Sequence, residues 1–515
     1  MKKKYVRWTL WTIASPFILF IILCILIYLP PIQNFLVDKA AVYASEATGM
    51  NISVGRISLS FPLNLVVTNV DAASPHNDTL LSVRRLQVNV QLLPLLKKQV
   101  EVDGISLQGA TVNSNDLIHG MKLNGTLGEL FISSHGVALD PETAIVNKVL
   151  LKDTDLSLCL NDTAAADTAA SDTTYWKIIL QDIDLQNVSF ALDMPLDSLS
   201  LAASLDNAIL RDGLIDLHKS AYSLQTFRIK NGRVRYDSGK PLAADSLPSG
   251  LDPSHIALTD IGVKLDSLYY GGRNMKAIIS QFVLKERSGV EIVSATGRMV
   301  SNDKVLRVPS LKLETRDSYL ELNAAMDWNA LDFKDEGLVS ARLMADIGKP
   351  DVVRFMGSMD EKFIRQYPSE PLRIRTGIDG DLNKLKLTTL TAELPGALGL
   401  FARGELTHLT DSLLRGGDIT LEAETKDLKF VSTLAEGIEI PYGTRLEGKF
   451  TMAGTKMGTD LLLMQPEAQA VVAADTIPIT VYNDSISVAD DFKMERAARL
   501  FAKYDLSRDR YEADL

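Results

Sequence analysis

The sequence predicts a mainly β protein with an N-terminal transmembrane helix, a long antiparallel sheet and few short helices. Three observations carry this. Thr9 to Leu29 reads TLWTIASPFILFIILCILIYL and holds no charge. Beyond residue 50, apolar and polar residues alternate at a period of two, which is the pattern of a strand with one dry face. One alternating template then recurs along the chain, which points to a repetitive architecture. The 515 residues are 46% hydrophobic and 23% charged, a globular rather than a disordered composition.

The N-terminal stretch is read as an uncleaved anchor. Roughly 20 apolar residues at 1.5 Å rise cross a hydrocarbon core of about 30 Å. Lys2, Lys3, Lys4 and Arg7 precede it, and the first charge after it is Asp38. The positive-inside rule then leaves residues 1–8 in the cytoplasm, 9–29 in the membrane and the bulk of the chain beyond it. Trp8, Trp11 and Tyr28 suit the two interfaces. A cleaved signal fits less well, because its apolar core would be shorter and Tyr28-Leu29-Pro30-Pro31 is no cleavage site. Cys24 follows Ile21-Ile22-Leu23, not the small residues of a lipoprotein signal. A buried core helix would leave the charge asymmetry unexplained.

Residues 30–49 carry a helical stripe of Ile32, Phe35, Leu36, Ala40, Tyr43 and Ala47, with Gly49 placed to take a left-handed C-terminal cap. The period then changes to two. Ile57, Leu59, Phe61, Leu63 and Leu65 share one parity, whereas Ile52 and Val54 keep the other. Gly55 sits where the parity flips, as a glycine bulge would make it. Leu86, Val88 and Val90 alternate in the same way with Gln87, Asn89 and Gln91.

The recurring template is clearest in Val100-Glu-Val102-Asp-Gly-Ile105-Ser-Leu107-Gln-Gly-Ala110-Thr-Val112. It falls on Ile178, Leu180, Ile183, Leu185, Val188 and Phe190, with Gln108-Gly109 on Gln186-Asn187. Tyr222, Leu224, Phe227, Ile229, Gly232 and Val234 follow it, with Lys230-Asn231 at the break. Ala144, Val146, Val149, Leu151, Thr154 and Leu156 give a weaker copy. Alternation broken by two-residue punctuation means either a bent strand or a tight hairpin.

The low-complexity run NDTAAADTAASDTT, residues 161–174, reads as a solvated loop between two copies. Alternation continues beyond Leu251. Val352 to Tyr367 is the main helical interruption, with Asp351 as its cap and Pro368 at its end. The segment from Gly377 to Leu406 resumes the strands around a Pro395-Gly396 turn. At the end, a hairpin is expected from Leu500, Ala502, Tyr504 and Leu506 to Tyr511, Ala513 and Leu515, with Ser507-Arg508-Asp509 as its turn. The organisation so read is a β region over 50–350, a helical insertion over 351–368 and a further β region over 369–515. An alternating strand at the very end reads as the N-terminal part of a longer protein or a truncated copy.

Chemistry is sparse. The formal net charge of −11 does not make the basic footprint of a nucleic-acid binder. No nucleophile elbow, phosphate-binding loop, HExxH or CxxC occurs. The six histidines stand apart, and Asp162, Asp167 and Asp172 lack the glycine and glutamate of a calcium loop. Cys159, in LSLCLND, is flanked by apolar residues, as inert packing cysteines are. No enzyme, catalytic residue, metal or cofactor is expected. Periodicity alone leaves two architectures open: a closed sandwich that buries the apolar face, and an open sheet that leaves it lining a groove.

Three parts of the chain resemble a known family. They are the lysine-flanked anchor followed by ATGMNISVGRISLSFPLNLVVTNV (Ala47 to Val70), the repeats of the VEVDGISLQGATV kind, and DGDLNKLKLTTLTAELPGALGLFARGEL, Asp379 to Leu406. They look like the AsmA-like family, and within it the N-terminal portion of the TamB-like translocation and assembly proteins of Gram-negative envelopes. The resemblance implies an inner-membrane-anchored periplasmic protein whose elongated sheet curls into a taco-shaped groove. It implies phospholipids as cargo between the inner and outer membranes, and an outer-membrane barrel as protein partner. The C-terminal domain through which the family engages that barrel is not seen in this sequence. The lining residues that follow are Ile57, Leu59, Phe61, Leu63, Leu65, Leu86, Val88, Val90, Ile105, Leu107, Ile183, Leu185, Phe227 and Ile229. Two rival readings are a scaffold that assists outer-membrane protein assembly around a filled core, and a membrane-anchored hydrolase.

Overall fold

In the computed structural model the chain is mainly β, and it divides into two compact units. The structure describes residues 48–60, 64–74, 79–91, 102–114, 120–138, 142–161, 176–239, 250–334, 337–356, 361–433, 442–465, 472–474, 477–479, 496–505 and 510–514, and five positions between 39 and 46. The expected anchor over 9–29 and the cations Lys2, Lys3, Lys4 and Arg7 lie outside them. Among the described residues no helix is long and apolar enough to cross a membrane. Gly49 does take a left-handed conformation, at φ +69°, and its N–H donates to the Ser45 carbonyl at 2.9 Å.

The first unit holds β1 (Asn51–Ser60), β2 (Asn64–Ala73), β3 (Thr79–Val90), β4 (Val102–Asn113), β5 (Met121–Ala138), β6 (Thr143–Leu160), β7 (Lys177–Met194), β8 (Leu199–Asp216), β9 (Ala221–Leu224), β10 (Thr226–Ser238) and β11 (His255–Gly271). Neighbours in sequence pair as neighbours in the sheet, with β9 and β10 end to end between β8 and β11. Every pair is antiparallel except one. β6 and β7 run parallel, with Ala144 beside Ile178, Val149 beside Ile183, and Leu156 beside Phe190. This corrects a wholly antiparallel expectation.

The parallel pair explains the sequence template. Its copies lie in β4, β6, β7 and β9–β10, and these strands all run the same way. The two-residue punctuation is a bend within a strand, not a hairpin. It falls at one level across the sheet, through Gly55, Asn69, Arg84, Gly109, Gly128, Asp153, Asn187, Asp206 and Asn231. In strands of the template's direction the bend residue is left-handed: Asn69 at φ +51°, Gly109 at +62°, Asp153 at +49°, Asn187 at +52° and Asn231 at +53°. Glycine, asparagine and aspartate are the residues that visit this region at least cost. At Gly109 a Cβ would also approach the Arg84 side chain to 3.1 Å. Side chains join along the seam: Asn187 Nδ2 donates to Asp153 Oδ1 at 2.9 Å, and Asn231 Nδ2 donates to Asp206.

The second unit holds β12 (Asn274–Glu286), β13 (Glu291–Ser301), β14 (Val305–Thr315), β15 (Tyr319–Asp327), β16 (Leu338–Ile347), β17 (Leu372–Asp381), β18 (Lys384–Leu394), β19 (Leu398–Thr407), β20 (Gly416–Thr425), β21 (Arg445–Ala453), β22 (Lys456–Gln465), β25 (Arg496–Asp505) and β26 (Arg510–Asp514). All pair antiparallel in that order. The last pair is the hairpin expected at the end of the chain. β23 (Val472–Ala474) and β24 (Ile477–Ile479) form a separate small ladder.

Helix α1 (Trp328–Leu331) links β15 to β16. The helical stretch expected over Val352 to Tyr367 consists of two short helices, α2 (Lys349–Phe355) and α3 (Glu361–Gln366). Gly348 occupies the N-cap position of α2, so Asp351 sits in the first turn and is not the cap. Its carboxylate is almost fully buried and accepts the hydroxyls of Thr315 and, at 2.6 Å, Ser318. Arg354 Nη1 bonds it at 3.0 Å and Asp317 at 2.7 Å, which fastens α2 to the β14–β15 turn.

The left-handed bend makes a direct stability prediction. Asn187→Val places a β-branched residue at φ +52° and is expected to destabilise the protein by about 1–2 kcal/mol. Asn187→Gly should cost far less. Urea unfolding monitored by circular dichroism separates them, and equal midpoints for the two variants would refute the backbone argument.

Candidate functional site

One face of the first unit is apolar from strand to strand. Leu59 pairs with Leu65, Leu65 with Val88, Val88 with Ile105 and Ile105 with Ile132. The row continues through Val149, Ile183, Leu210, Phe227 and Leu265. Two residues along, a second row runs Ile57, Val67, Leu86, Leu107, Leu130, Leu151, Leu185, Ala208, Ile229 and Val263. Beyond the seam a further row includes Val112, Leu156, Phe190, Ala203, Val234 and Leu258. The bend residue resets the parity, so these rows stay on the same face.

The sequence-predicted residues therefore converge. Leu59, Leu65, Val88, Ile105, Ile183 and Phe227 share the first row; Ile57, Leu86, Leu107, Leu185 and Ile229 share the second. Val90 follows Val88 at the same parity and pairs with Val102. Phe61 and Leu63 lie outside the described residues. Val149, an apolar position of the weaker template copy, also lies in the first row, and sequence reading missed Ile132, Leu210 and Leu265, although the alternation of β5, β8 and β11 carries them.

The opposite face is polar. One of its rows runs Arg56, Thr68, Arg85, Gln108, Glu129, Lys152, Gln186, Asn207 and Lys230. Its side chains bond to one another: Arg85 to Gln87 at 3.2 Å, Gln87 to Asn89 at 3.0 Å, and Gln186 and Asn207 to Asp184 at 3.1 and 3.2 Å.

The apolar face is packed sideways but not sealed. Nearly all its larger residues are half-buried, and Ile105, Phe190 and Tyr270 are 36%, 38% and 46% exposed. The fully buried apolar residues on these rows are few and mostly small or at the seam, such as Ala110, Ala208 and Ile261. Side chains within a closed two-layer core would be occluded from above by the facing layer.

The second unit repeats the pattern. Phe282, Ala295, Leu313, Leu320, Ala345, Ile374, Ala392, Leu400, Ala423, Leu446 and Leu463 form one row in register. Here small clusters sit at both sets of strand ends around β15 to β20. At one set of strand ends, Phe363 and Tyr367 pack with Leu394, Ala397, Leu428 and Phe430. At the other, Ala330 packs with Val339 and Leu382.

A hollow of about 620 Å³ lies by the strand ends of the first unit, beside Cys159, Asp193, Ser200, Arg235, Asp237 and His255. Its carboxylates are engaged: Ser200 Oγ donates to Asp193 at 2.7 Å and Arg235 Nε to Asp237 at 2.6 Å. Cys159 Sγ is 3.2 Å from Asn161 Oδ1. Among the described residues no three His, Cys, Asp or Glu side chains are grouped to hold a metal. No protein-family model matches the chain, and no curated protein matches it.

The aromatic cluster of the second unit holds one buried phenol. Burial pushes the Tyr367 phenol above its ordinary value of 10.0. A raised folded-state value contributes stability that is present below the unfolded value and is lost as pH rises through the folded one. Thermal unfolding between pH 8 and pH 11 is therefore expected to show a falling midpoint above about pH 10, diminished in Tyr367→Phe. An unchanged slope in that variant would assign the loss to other groups.

Proposed function

We propose that this chain is an inner-membrane-anchored periplasmic protein of the AsmA/TamB-like kind, whose apolar face serves as a groove for phospholipid acyl chains passing between the inner and outer membranes. The observation that supports it is the in-register apolar face, continuous over the long strands of the first unit yet half-exposed. Acyl chains laid on that face are sheltered by about 0.8 kcal/mol per buried methylene. The headgroup stays in water at an open edge. Neighbouring strands stand about 4.8 Å apart and offer near-identical apolar rungs, so a chain sliding across them meets no deep trap. Such movement needs no nucleophile, base or metal. The anchor read at 9–29 supplies the inner-membrane end, and an outer-membrane barrel is the protein partner that the reading implies.

The rival is an envelope scaffold that assists outer-membrane protein assembly with the same face filled by protein. A photo-crosslinking residue separates the two. At Val88 or Val90 it is expected to capture phospholipid in intact cells, identified by mass spectrometry of the adduct. At Gln87 or Gln91, of opposite parity, it should capture little. Equal yields at both parities, or protein adducts alone at Val88, would favour the scaffold.

A further inference from the structure

We propose that the chain associates head to tail with further copies of itself, through two oppositely charged patches on the polar faces of its two units. This stands apart from the lipid reading and rests on charges that the fold leaves uncompensated.

The first patch is mostly basic and lies on β10 and β11, where the exposed carboxylates Asp260 and Asp266 of β11 are already engaged. Every second residue on the outer side of β10 is a cation on either side of the seam: Arg228, Lys230, Arg233 and Arg235. Among the described residues, Arg228, Lys230 and Arg233 are exposed and make no ion pair, whereas Arg235 is held by Asp237. Arg228 stands directly across from Lys264 of β11 in register. Like charges placed directly opposite on neighbouring strands destabilise a sheet. The nearby Asp206 of β8 is engaged by Asn231.

The second patch is acidic and lies on β20 and β21. Glu422 stands directly across from Glu447 in register, again like against like. Glu424 adjoins them, and all three are exposed and form no ion pair among the described residues. Glu393 edges the same hollow of about 430 Å³ and is shared with Arg373 at 3.6 Å. Arg445, in register with Glu424, is the one cation lining that hollow, so carboxylates dominate it.

Each patch thus lacks what the other displays. On this chain of net charge −11, a second copy presents the exposed carboxylates of β20 and β21 to the basic residues of β10 and β11. Pairing one copy's β10–β11 face with another's β20–β21 face relieves both like-charge pairs. Interfaces of this polar kind gain specificity and encounter rate from complementarity, and weaken with salt. The contact is heterologous, so each added copy leaves one patch of either sign free and assembly continues unless the rotation closes a ring.

Sedimentation velocity of the full chain in detergent micelles tests this at about 20 mM and about 500 mM salt. The mass is expected to rise with protein concentration at low salt and to return to one chain at high salt. Arg228→Glu with Lys264→Glu, and separately Glu422→Lys with Glu447→Lys, should each weaken association at least about tenfold. An equimolar mixture of the two variants should restore it, since each then carries the complement of the other. Carbodiimide cross-links between Lys230 or Lys264 and Glu422 or Glu447 should join light to heavy chains in an isotope-mixed sample. A single-chain mass for the wild type at low salt, reversal variants that associate as the wild type does, or a mixture that fails to recover would each overturn the proposal. So would cross-links confined to one chain.

Discussion

The shape of each strand in the first unit depends on one backbone constraint. A strand that must keep the same face dry over eighteen residues cannot hold a strict two-residue parity if it also bends. One residue has to be spent at the bend, and in strands of the template's direction it adopts a conformation that side chains with a branched Cβ resist. Asn69, Gly109, Asp153, Asn187 and Asn231 meet that demand at one level of the sheet. The apolar rows on either side of the seam remain on one face only because of them. Loss of one would leave the hydrogen bonds on both flanks intact but turn half a strand's apolar residues toward water. The cost would therefore exceed the local strain.

Strand direction follows from the same constraint. From β1 to β10 the seam residue is left-handed in strands of the template's direction, whereas Gly55, Arg84, Gly128 and Asp206 of the opposite strands are not; Asp260 of β11, next to the seam, is left-handed again at φ +52°. That is why the repeat is detectable in β4, β6, β7 and β10 and faint in β5 and β8. It also makes the parallel joint between β6 and β7 tolerable. Two strands of like direction bend alike, and the Asn187–Asp153 bond closes the seam where the antiparallel alternation of bend types is interrupted.

Much of this was legible in the sequence, because period and parity are local properties. The alternation of Ile57, Leu59 and Leu65, the parity flip at Gly55, and the punctuation at Gly109, Asn187 and Asn231 all required only neighbouring residues to interpret. The C-terminal hairpin was legible for the same reason. What was not legible was non-local. Whether β7 returns beside β6 in parallel is decided by where the chain re-enters the sheet, and the low-complexity run between them carries no signal for it. Asp351 shows the same limit. A cap and a buried first-turn carboxylate look alike in sequence, and only the hydroxyls of Thr315 and Ser318, brought in by a distant turn, tell them apart. Ile132 and Leu210 were missed for a different cause: their strands cross the seam in the opposite direction and show only a faint copy of the template.

The two faces of such a sheet answer to different pressures. The apolar face is generic: any row of Leu, Ile, Val or Ala in register satisfies it, and its partner need only be apolar. The polar face could have been equally generic, with Lys and Glu interleaved as they are at Lys384–Glu405 or Lys312–Glu321. Arg228 opposite Lys264 and Glu422 opposite Glu447 break that rule in opposite senses on different units. A neutral swap at one position of each pair would have cost the fold nothing in packing, since all four side chains leave the sheet on its wet side. Charges that the fold does not need, and that oppose each other within it, are explained by something that meets them from outside.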